Sequence, residues 1–505
     1  MKTKLSALFL LFFITVDAQI TDLQKLSSGR YYDSDVIKDE DNNIKGYFLL
    51  FEKDKVNKET YTLEYVVLDE NLKKVTSGII TEMKFESFLI KADKISTHIT
   101  LFDNKLLIQL YDDIGDGNDY VYSRYKILDL KTNELSNSFI YNKGALHLNH
   151  VFDRKLKNMS DNQSYRILGL NKIGLVVDKS YKDDTSKEKY LECYDDNYTK
   201  KWKTVYEEDK TKLGTKNLSL LKSNENYILY FNHYMKGLNY KPSVSVIIVD
   251  AKTGNLNSEY FFPNEEDNSY KIVDCIINDD QIVLLGNYSG KSKYGHIADD
   301  DNLGLFKITL NAKNGKVVEE KYLDWTSIGS KLEINKKGYI KKEGYIFIHN
   351  LISLPNGKII VICEAFNQSP IITNNIYFME LSKDFKLNQL FEVEKFRNKF
   401  PSTNAHSNEI KKYGLFDFMD YQNMGDGEYL FYLNDNEKNS KNRKKSTLFG
   451  IVSYVDGKFV RQTLNLKTET SSIRAFPAKK GYIMIIENFD AKDKATELRL
   501  EKINY

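Results

Sequence analysis

The sequence predicts an all-β protein in which small antiparallel sheets repeat around a common centre. Three observations lead to this prediction: a recurring apolar strand, alternating strands with polar turns behind it, and an incomplete last unit. The apolar strand occurs eight times, at residues 46–51, 106–110, 173–177, 227–231, 282–285, 359–362, 429–433 and 482–486. A strand-based repeat of roughly 50 to 75 residues is typical of the blades of a β-propeller.

The strand that follows each apolar strand has a different pattern. In the first unit Tyr61, Leu63 and Tyr65 alternate with polar residues, and a tight turn follows at residues 69–72. Turns rich in Asp, Asn and Gly recur at residues 128–133, 194–197, 249–255 and 310–315, and in less regular form at residues 381–384 and 454–457. Asn and Gly tolerate positive φ, and Asp bonds to its own backbone, so these turns favour antiparallel hairpins.

Each unit is therefore predicted to form a blade of four antiparallel strands, which we label A to D in chain order. The apolar strand is B, because a strand covered on both faces by neighbouring blades should be continuously hydrophobic. The alternating strand is C, and residues 75–81 or 259–262 exemplify D.

The chain ends within a unit, and this ending predicts how the ring closes. Residues 472–476, 481–487 and 496–503 supply strands A, B and C, and the residues near 20–26 supply the missing strand D. Closure would remove the last exposed sheet edge. The sequence thus predicts eight blades. Two alternatives stay open: seven blades, if Gly174 disrupts the third unit, or two smaller β domains meeting near residues 325–345.

Composition agrees with a large β protein. Its 35 Tyr and 28 Phe suit the broad faces of strands, and six Pro disfavour long disordered linkers. With 73 basic and 71 acidic residues the net charge is +2, so nothing suggests a nucleic-acid-binding surface. Cys193, Cys275 and Cys363 are interpreted as small buried residues rather than as a disulfide framework.

The first residues predict export. Lys2 and Lys4 precede a mostly apolar stretch from Leu5 to Val16, and a small-residue cleavage site ends at Ala18. We therefore predict a signal peptide at residues 1–18 and a single propeller domain at residues 19–505. No transmembrane segment is predicted, since no later stretch approaches the ~18 apolar residues that a membrane helix needs. The mature chain is expected to be a monomer in the periplasm, at the cell surface or in the medium.

These repeats resemble β-propeller proteins in general. The resemblance covers nearly the whole mature chain, but it is architectural. Trp202 and Trp325 are the only tryptophans, which excludes repeat motifs that need one in every blade, and no kelch or quinoprotein motif recurs. The blades are also similar to those of secreted propeller-like proteins of unknown function. This kinship implies no active-site residues.

A binding surface is predicted on the face formed by the B–C connections. These connections are long, polar and dissimilar, whereas the C–D turns are short and uniform, and variable loops on a rigid scaffold commonly carry recognition. The partner would be a protein or a glycan. The aromatic residues proposed to contact it are Tyr234, Tyr240, Tyr288, Tyr294 and Phe366.

One B–C connection is strongly acidic. Its carboxylates, a candidate Ca²⁺ site, are Asp112, Asp113, Asp116 and Asp119. The spacing fails the EF-hand pattern, because Ile114 stands where that pattern needs an oxygen ligand. The alternative is an ordinary solvated acidic loop, and the sequence predicts no other cofactor.

The leading functional hypothesis is a non-enzymatic binding or scaffolding propeller. The alternative is a hydrolase or lyase acting on a polysaccharide or peptide with carboxylates at the central channel, since glycoside hydrolysis needs only two carboxylates at a set separation.

Overall fold

The structure of this chain is a computed structural model. It describes residues 19–503 apart from residues 40–41, 54–59, 84–93, 114–119, 138–139, 144–163, 171, 182–187, 209–213, 236–242, 264–266, 292–296, 401–406, 413, 435–445, 468–471 and 489–495. The described strands form eight antiparallel sheets, one for each predicted blade, and this confirms the eight-bladed propeller. The division into residues 1–18 and 19–505 stays a prediction, since residues 1–18 lie outside the described residues.

The first four blades each contain four strands, A to D in chain order. Blade 1 is β2 (Arg30–Lys38), β3 (Ile44–Glu52), β4 (Thr60–Asp69) and β5 (Lys74–Met83). Blade 2 is β6 (Lys94–Phe102), β7 (Lys105–Asp113), β8 (Tyr120–Asp129) and β9 (Ile140–Lys143). Blade 3 is β10 (Ser164–Leu170), β11 (Gly174–Tyr181), β12 (Lys189–Tyr194) and β13 (Lys200–Glu207). Blade 4 is β14 (Thr215–Ser223), β15 (Tyr227–Met235), β16 (Val244–Asp250) and β17 (Leu256–Phe261).

The remaining blades follow the same plan with two variations. Blade 5 is β18 (Asn268–Asn278), β19 (Gln281–Lys291), β20 (Ile297–Asn311) and β21 (Val317–Asp324). Blade 6 is β23 (Gly344–Ser353), β24 (Ile359–Gln368), β25 (Ile371–Leu381) and β26 (Leu387–Val393), extended by the short strands β22 (Tyr339–Ile340) and β27 (Asn398–Lys399). Blade 7 is β28 (Phe418–Gly425), β29 (Glu428–Asn434), β30 (Ser446–Val455) and β31 (Lys458–Lys467). Blade 8 combines β32 (Ser472–Pro477), β33 (Tyr482–Asn488) and β34 (Thr496–Lys502) with β1 (Gln19–Asp22).

Among the described residues, helix is confined to connections. The helix α1 (Leu23–Leu26) follows β1, a 3-10 helix (Trp325–Ile328) follows blade 5, and α2 (Ser407–Lys412) lies between blades 6 and 7. Among the described residues, no helix has the length and apolarity that a membrane span requires.

Apolar side chains fill the spaces between neighbouring blades. Among the described residues, a cluster of buried side chains joins each blade to the next around the ring. The cluster between the last blade and the first contains Tyr47 and Leu49 from β3 with Met484 and Leu498 from blade 8. In β24 the buried residues run without a break from Ile359 to Phe366. This two-sided burial is the physical reason for the unbroken apolar pattern of the B strands.

The ring closes as the sequence predicts. Residues Gln19 to Asp22 pair antiparallel with residues Leu500 to Glu497 of β34, so the N-terminal strand becomes strand D of blade 8. The third blade is complete and separate, because Gly174 stands at the start of β11 instead of interrupting it. Its φ of +113° and its close approach to the Tyr194 carbonyl explain why glycine occurs there.

The B–C hairpins are longer than the sequence predicts, and this corrects the loop assignment. β24 ends at Gln368 and β25 begins at Ile371, so only two residues lie between these B and C strands. The same extension places Tyr234 in β15 and Tyr288 in β19. The apolar run marks only the part of each strand that lies between blades, whereas the hydrogen-bonded ladder continues through polar residues beyond it.

Strand A is irregular in most blades. In five of the described blades strand A has one extra residue relative to strand B, at position 32, 221, 273, 349 or 419. A bulge of this kind redirects the side chains beside it. A charged or amide residue follows the extra residue in every case: Asp33, Lys222, Asp274, Asn350 and Asp420.

The three cysteines agree with the sequence interpretation. Cys193, Cys275 and Cys363 are free and buried. Burial raises the pKa of the Cys193 thiol to about 11, so this thiol stays protonated at neutral pH.

Candidate ligand-binding site

A cavity of 620 Å³ lies at the axis of the ring. The A strands of blades 1, 2, 3, 4, 7 and 8 all contribute to its wall. Its volume falls in the range of ~300–1,000 Å³ that is usual for small-molecule sites. The charged side chains of the wall come mainly from the strands: Asp35, Lys38, Asp39, His98, Lys222 and Asp420.

The cavity continues toward the face that carries the A–B turns. A second space of 290 Å³ shares Lys38, Ile44, Asp420 and Pro477 with it and is also lined by the A–B turns of blades 1 and 8. We call the two spaces together the axial site. The axial site therefore opens on the face opposite to the B–C connections, where the sequence predicts the binding surface.

Two aspartates of β2 are held by the neighbouring blade. Asp33 Oδ2 accepts hydrogen bonds from the Thr97 backbone N–H at 2.9 Å and from its hydroxyl at 3.1 Å. Asp35 Oδ2 accepts the Ile99 N–H at 2.7 Å, and Asp35 Oδ1 accepts the Val36 N–H at 2.8 Å. These carboxylates satisfy donors on the free edge of β6, so their first role is to join blades 1 and 2.

Two ion pairs cross between blades at the axis. Lys38 Nζ of blade 1 lies 2.9 Å from Asp420 Oδ2 of blade 7. His98 Nδ1 of blade 2 lies 3.5 Å from Asp35 Oδ2 of blade 1. The bond to Asp35 raises the pKa of His98 although burial opposes the shift. His98 is the more exposed partner, with 65% of its side chain accessible, so its ring reaches the cavity.

Lys222 differs from these paired groups. It follows the bulge of β14, its side chain is exposed to the cavity, and among the described residues it has no ion-pair partner within bonding distance. Its electrostatic partner is Asp274 on the A strand of blade 5. Burial raises the pKa of Asp274, which shows that Lys222 compensates this carboxylate only in part.

A family model described as a family of unknown function, DUF6770, matches residues 1–372 and 370–504. The chain belongs to this family. No curated protein matches the sequence.

Two solved structures illustrate the similarity to other propellers. One is a PL25 ulvan lyase bound to -[GlcA(1-4)Rha3S]-, at 10% identity and a TM-score of 0.40, with 80% of this chain and 91% of that chain covered. The other is the β-propeller domain of the Trilobed protease from Pyrococcus furiosus, at 10% identity and a TM-score of 0.37, with 86% and 95% covered. At these identities and TM-scores, neither similarity carries an argument on function.

Three of the aromatic residues proposed as ligand contacts are buried. Tyr234 is 3% exposed, Tyr288 is 7% exposed and Phe366 is 1% exposed. The Tyr234 hydroxyl donates to Glu259 Oε1 at 2.7 Å, and the Tyr288 hydroxyl donates to Asp324. Phe366 packs edge-on against Phe416. Their packing into the blades accounts for their presence, and their role in binding stays a prediction.

The other predicted site residues cannot be placed. Tyr240, Tyr294, Asp116 and Asp119 lie outside the described residues, as do the side chains of Asp112 and Asp113. Among the side chains that the structure does describe, no group of three or more His, Cys, Asp or Glu has the arrangement of a metal site. The Ca²⁺ hypothesis therefore stays a prediction.

Sequence reasoning did not single out the axial residues. Asp35, His98, Lys222 and Asp420 lie far apart in the chain, and only the ring brings them together. Their common signal is that strand A is polar where strand B is apolar, as the sequence of β14 (TKNLSLLKS) beside that of β15 (YILYFNHYM) illustrates.

Sequence reasoning also missed a buried network in blade 6. The Glu364 carboxylate is fully buried and accepts the backbone N–H groups of Asp417 and Phe418 at 3.1 Å. Lys395 Nζ lies 3.3 Å from Glu364 Oε1 and also pairs with Asp417 Oδ2, and His349 Nε2 lies 3.3 Å from Glu364 Oε2. These groups attach the connection between blades 6 and 7 to blade 6. Because all are buried and mutually satisfied, we assign them a structural role.

Proposed function

We propose that this protein is an exported binding propeller that holds part of a glycan or protein partner in the axial site. The observation that carries the proposal is the cavity of 620 Å³ walled by the A strands of six blades. Such a wall is rigid, because each A strand is anchored by three further strands and by the apolar clusters between blades. A preformed cavity loses little entropy when it binds a ligand.

The pairing of the axial carboxylates favours binding over hydrolysis. Among the described residues that line the site, Asp35 is bonded to two backbone amides and lies against His98, and Asp420 is paired with Lys38. A glycosidase needs one carboxylate free to protonate the leaving group and another free to attack or to activate water. The axial pairs would have to break before either carboxylate could act in this way.

A closer pair of carboxylates lies away from the axis. Asn375 Nδ2 donates to Glu343 Oε1 at 3.0 Å and to Glu392 Oε1 at 2.7 Å, on the C and D strands of blade 6 and the turn before it. The Tyr377 hydroxyl donates to Glu343 Oε2 at 2.7 Å. Burial raises the pKa of Glu343. The hypothesis of an enzyme with carboxylates at the central channel gains no support from a pair in this position.

A cavity-filling variant tests the proposal. Ser223 lines the cavity and Thr463 is exposed on the outer strand of blade 7, so Ser223→Phe and Thr463→Phe form a matched pair. Ligands would be sought with a glycan array and by pull-down from an envelope extract. We expect Ser223→Phe to lose the binding that wild type and Thr463→Phe show. Retention of all binding by Ser223→Phe, or turnover of a polysaccharide without stable binding, would overturn the proposal.

Export of the protein can be tested separately from ligand binding. We propose that cleavage follows Ala18, which would leave Gln19, the first residue of β1, as the mature N-terminus. N-terminal sequencing of protein recovered from the periplasm, cell surface and medium tests this. An intact N-terminus on protein found only inside the cell would contradict it.

A further inference from the structure

The axial site contains more lysines than carboxylates. The lysines that line its two spaces are Lys38, Lys45, Lys222, Lys479 and Lys480. The carboxylates that line them are Asp35, Asp39, Glu70 and Asp420. His98 adds a further positive charge whenever its ring is protonated.

Most of these carboxylates are already used by the fold. Asp35 and Asp420 hold backbone amides and the axial cations described above. Asp39 Oδ1 accepts the Asn43 N–H at 2.8 Å, and Asp39 Oδ2 lies 3.2 Å from Lys45 Nζ. Glu70 is the exception, since among the described residues it has no hydrogen-bond or ion-pair partner.

Fewer of the lysines than of the carboxylates have an oppositely charged partner. Lys38 and Lys45 have carboxylate partners, but Lys222 and Lys480 have no ion pair among the described residues. Lys479 donates to the neutral amide of Asn71 and lies 4.3 Å from the ring centroid of Tyr482. Three ammonium groups therefore face the site, of which Asp274 balances Lys222 only in part, against one uncommitted carboxylate, Glu70. A ligand that brings negative charge would satisfy these donors with charge-assisted hydrogen bonds.

Neutral polar groups lie between the charges. Thr100 and Ser223 line the cavity, and Asn42 and Asn423 line its mouth. Hydroxyl and amide side chains both donate and accept hydrogen bonds, as the hydroxyl groups of a sugar do. Apolar side chains such as Met419 and Phe476 also line the cavity, and the C–H faces of a sugar ring would contact them.

We propose that the axial site binds an acidic oligosaccharide, with carboxylate groups of the sugar held by Lys222 and Lys480. This inference rests on the proposed function and specifies its ligand. The cavity and its mouth, at 620 Å³ and 290 Å³, allow about two to three sugar units to be enclosed. Thr100, Ser223 and the asparagines at the mouth would contact sugar hydroxyl groups.

Calorimetric titration with trigalacturonic acid tests the inference. The neutral control ligand is its methyl ester, which has the same backbone without the charge. The variant is the double substitution Lys222→Gln with Lys480→Gln, and the control protein is Lys252→Gln, which changes an exposed lysine in the C–D turn of blade 4 away from the axis. We expect the double variant to bind the acid about tenfold more weakly or worse, and Lys252→Gln to match wild type.

The outcomes separate the two levels of the proposal. Equal affinity for the acid and its ester, or preference for a peptide of Asp and Glu over both sugars, would overturn the acidic oligosaccharide. If the ester or the acidic peptide bound instead, and Ser223→Phe abolished that binding, the proposed binding function of the axial site would stand. Binding of trigalacturonic acid that neither Ser223→Phe nor the lysine substitutions weaken would place the ligand elsewhere and overturn both. Near-ultraviolet circular dichroism would verify that each variant retains its packing.

Discussion

At the scale of single residues, the C–D turns show how the sequence controls the blades. In five blades the first turn residue is an Asp or Asn whose side chain accepts backbone N–H groups two to four residues later: Asp69, Asp129, Asp195, Asp250 and Asn311. These bonds fix the turn without help from the rest of the ring. That local character is why the turns could be predicted from the sequence.

Gly254 in one of these turns allows contact between two blades. Its φ is +76°, and a Cβ atom added there would lie 2.5 Å from Cε3 of Trp202 in blade 3. The same turn accepts the Trp202 indole N–H at the Ala251 carbonyl, 3.0 Å away. We expect Gly254→Ala to lower the free energy of unfolding by about 2–4 kcal/mol, through the positive φ and a clash with a ring that cannot move freely.

Gly457→Ala provides the control for this substitution. Gly457 has a φ of +74° in the corresponding turn of blade 7, but a Cβ atom there would meet nothing closer than 3.9 Å. The backbone cost is therefore the same without the clash, and a loss of about 1 kcal/mol is expected. Denaturant unfolding of both variants measures the difference. Equal losses would show that the contact with Trp202 is not tight.

The aromatic residues show the limit of prediction at this scale. Tyr234 and Phe366 were expected on a binding surface, yet both are buried in the blades. Sequence reveals that an aromatic residue stands near a loop, but not whether the strand ladder extends far enough to enclose it. The ring also determines which distant polar residues meet at the axis, and no local pattern contains that information.

At the scale of elements, the connection between blades 6 and 7 depends on buried charge. Lys395 is 1% exposed and is the cation shared by Glu364 and Asp417. Lys395→Met would leave two buried carboxylates without their counter-charge. We expect a loss of about 3–5 kcal/mol in the free energy of unfolding, as for other broken buried pairs.

A surface pair supplies the comparison for Lys395→Met. Lys341 Nζ lies 3.1 Å from Glu333 Oε2, and both side chains are largely exposed. Lys341→Met should change stability by less than about 1 kcal/mol. Thermal and denaturant unfolding of the two variants test the contrast. A loss for Lys395→Met as small as that for Lys341→Met would mean that the network contributes little.

Asp417 adds a pH dependence to the same element. Burial raises its pKa to about 6, with Lys395 opposing and Glu364 reinforcing the shift. A carboxyl whose pKa is raised by folding favours the folded state most at low pH, and this contribution is lost as the pH rises toward 6. Asp417→Asn removes this titration. Between pH 4 and pH 6 the stability of wild type should fall relative to Asp417→Asn, by an amount on the order of 1–3 kcal/mol. A constant difference across this interval would contradict the assignment.

Element types were more predictable than element ends. The B strands were evident because two-sided burial leaves an unbroken apolar run, as in β24. The bulges of strand A were not evident, since an extra residue such as Val273 changes only the register with strand B. The polar residue that follows each bulge is visible in the sequence, but its direction depends on that register.

At the scale of the whole molecule, the ring is stabilised by interfaces of one kind. Every neighbouring pair of blades shares an apolar cluster, and the cluster between blades 8 and 1 is continuous with Leu23 and Leu26 at the N-terminus. The eightfold architecture was predictable because each unit repeats the same strand pattern and because the last unit lacks a strand. The lining of the axial site was not, since it combines residues from six blades.

The N-terminal strand β1, which closes the ring, should stabilise the whole propeller. β1 contributes four residue pairs to β34, and the hydrogen bonds of such a ladder are each worth about 1 kcal/mol net. A chain that begins at Leu23, without β1, should therefore lose on the order of 2–4 kcal/mol of stability and expose the edge of β34. An exposed edge invites pairing with another chain, so the truncated protein should also dimerise or aggregate more at high concentration. Removal of residues 504–505, which follow the last strand, is the matched control. Calorimetry with light scattering measures both effects, and an unchanged melting temperature in a monomeric truncated chain would show that blade 8 holds with three strands.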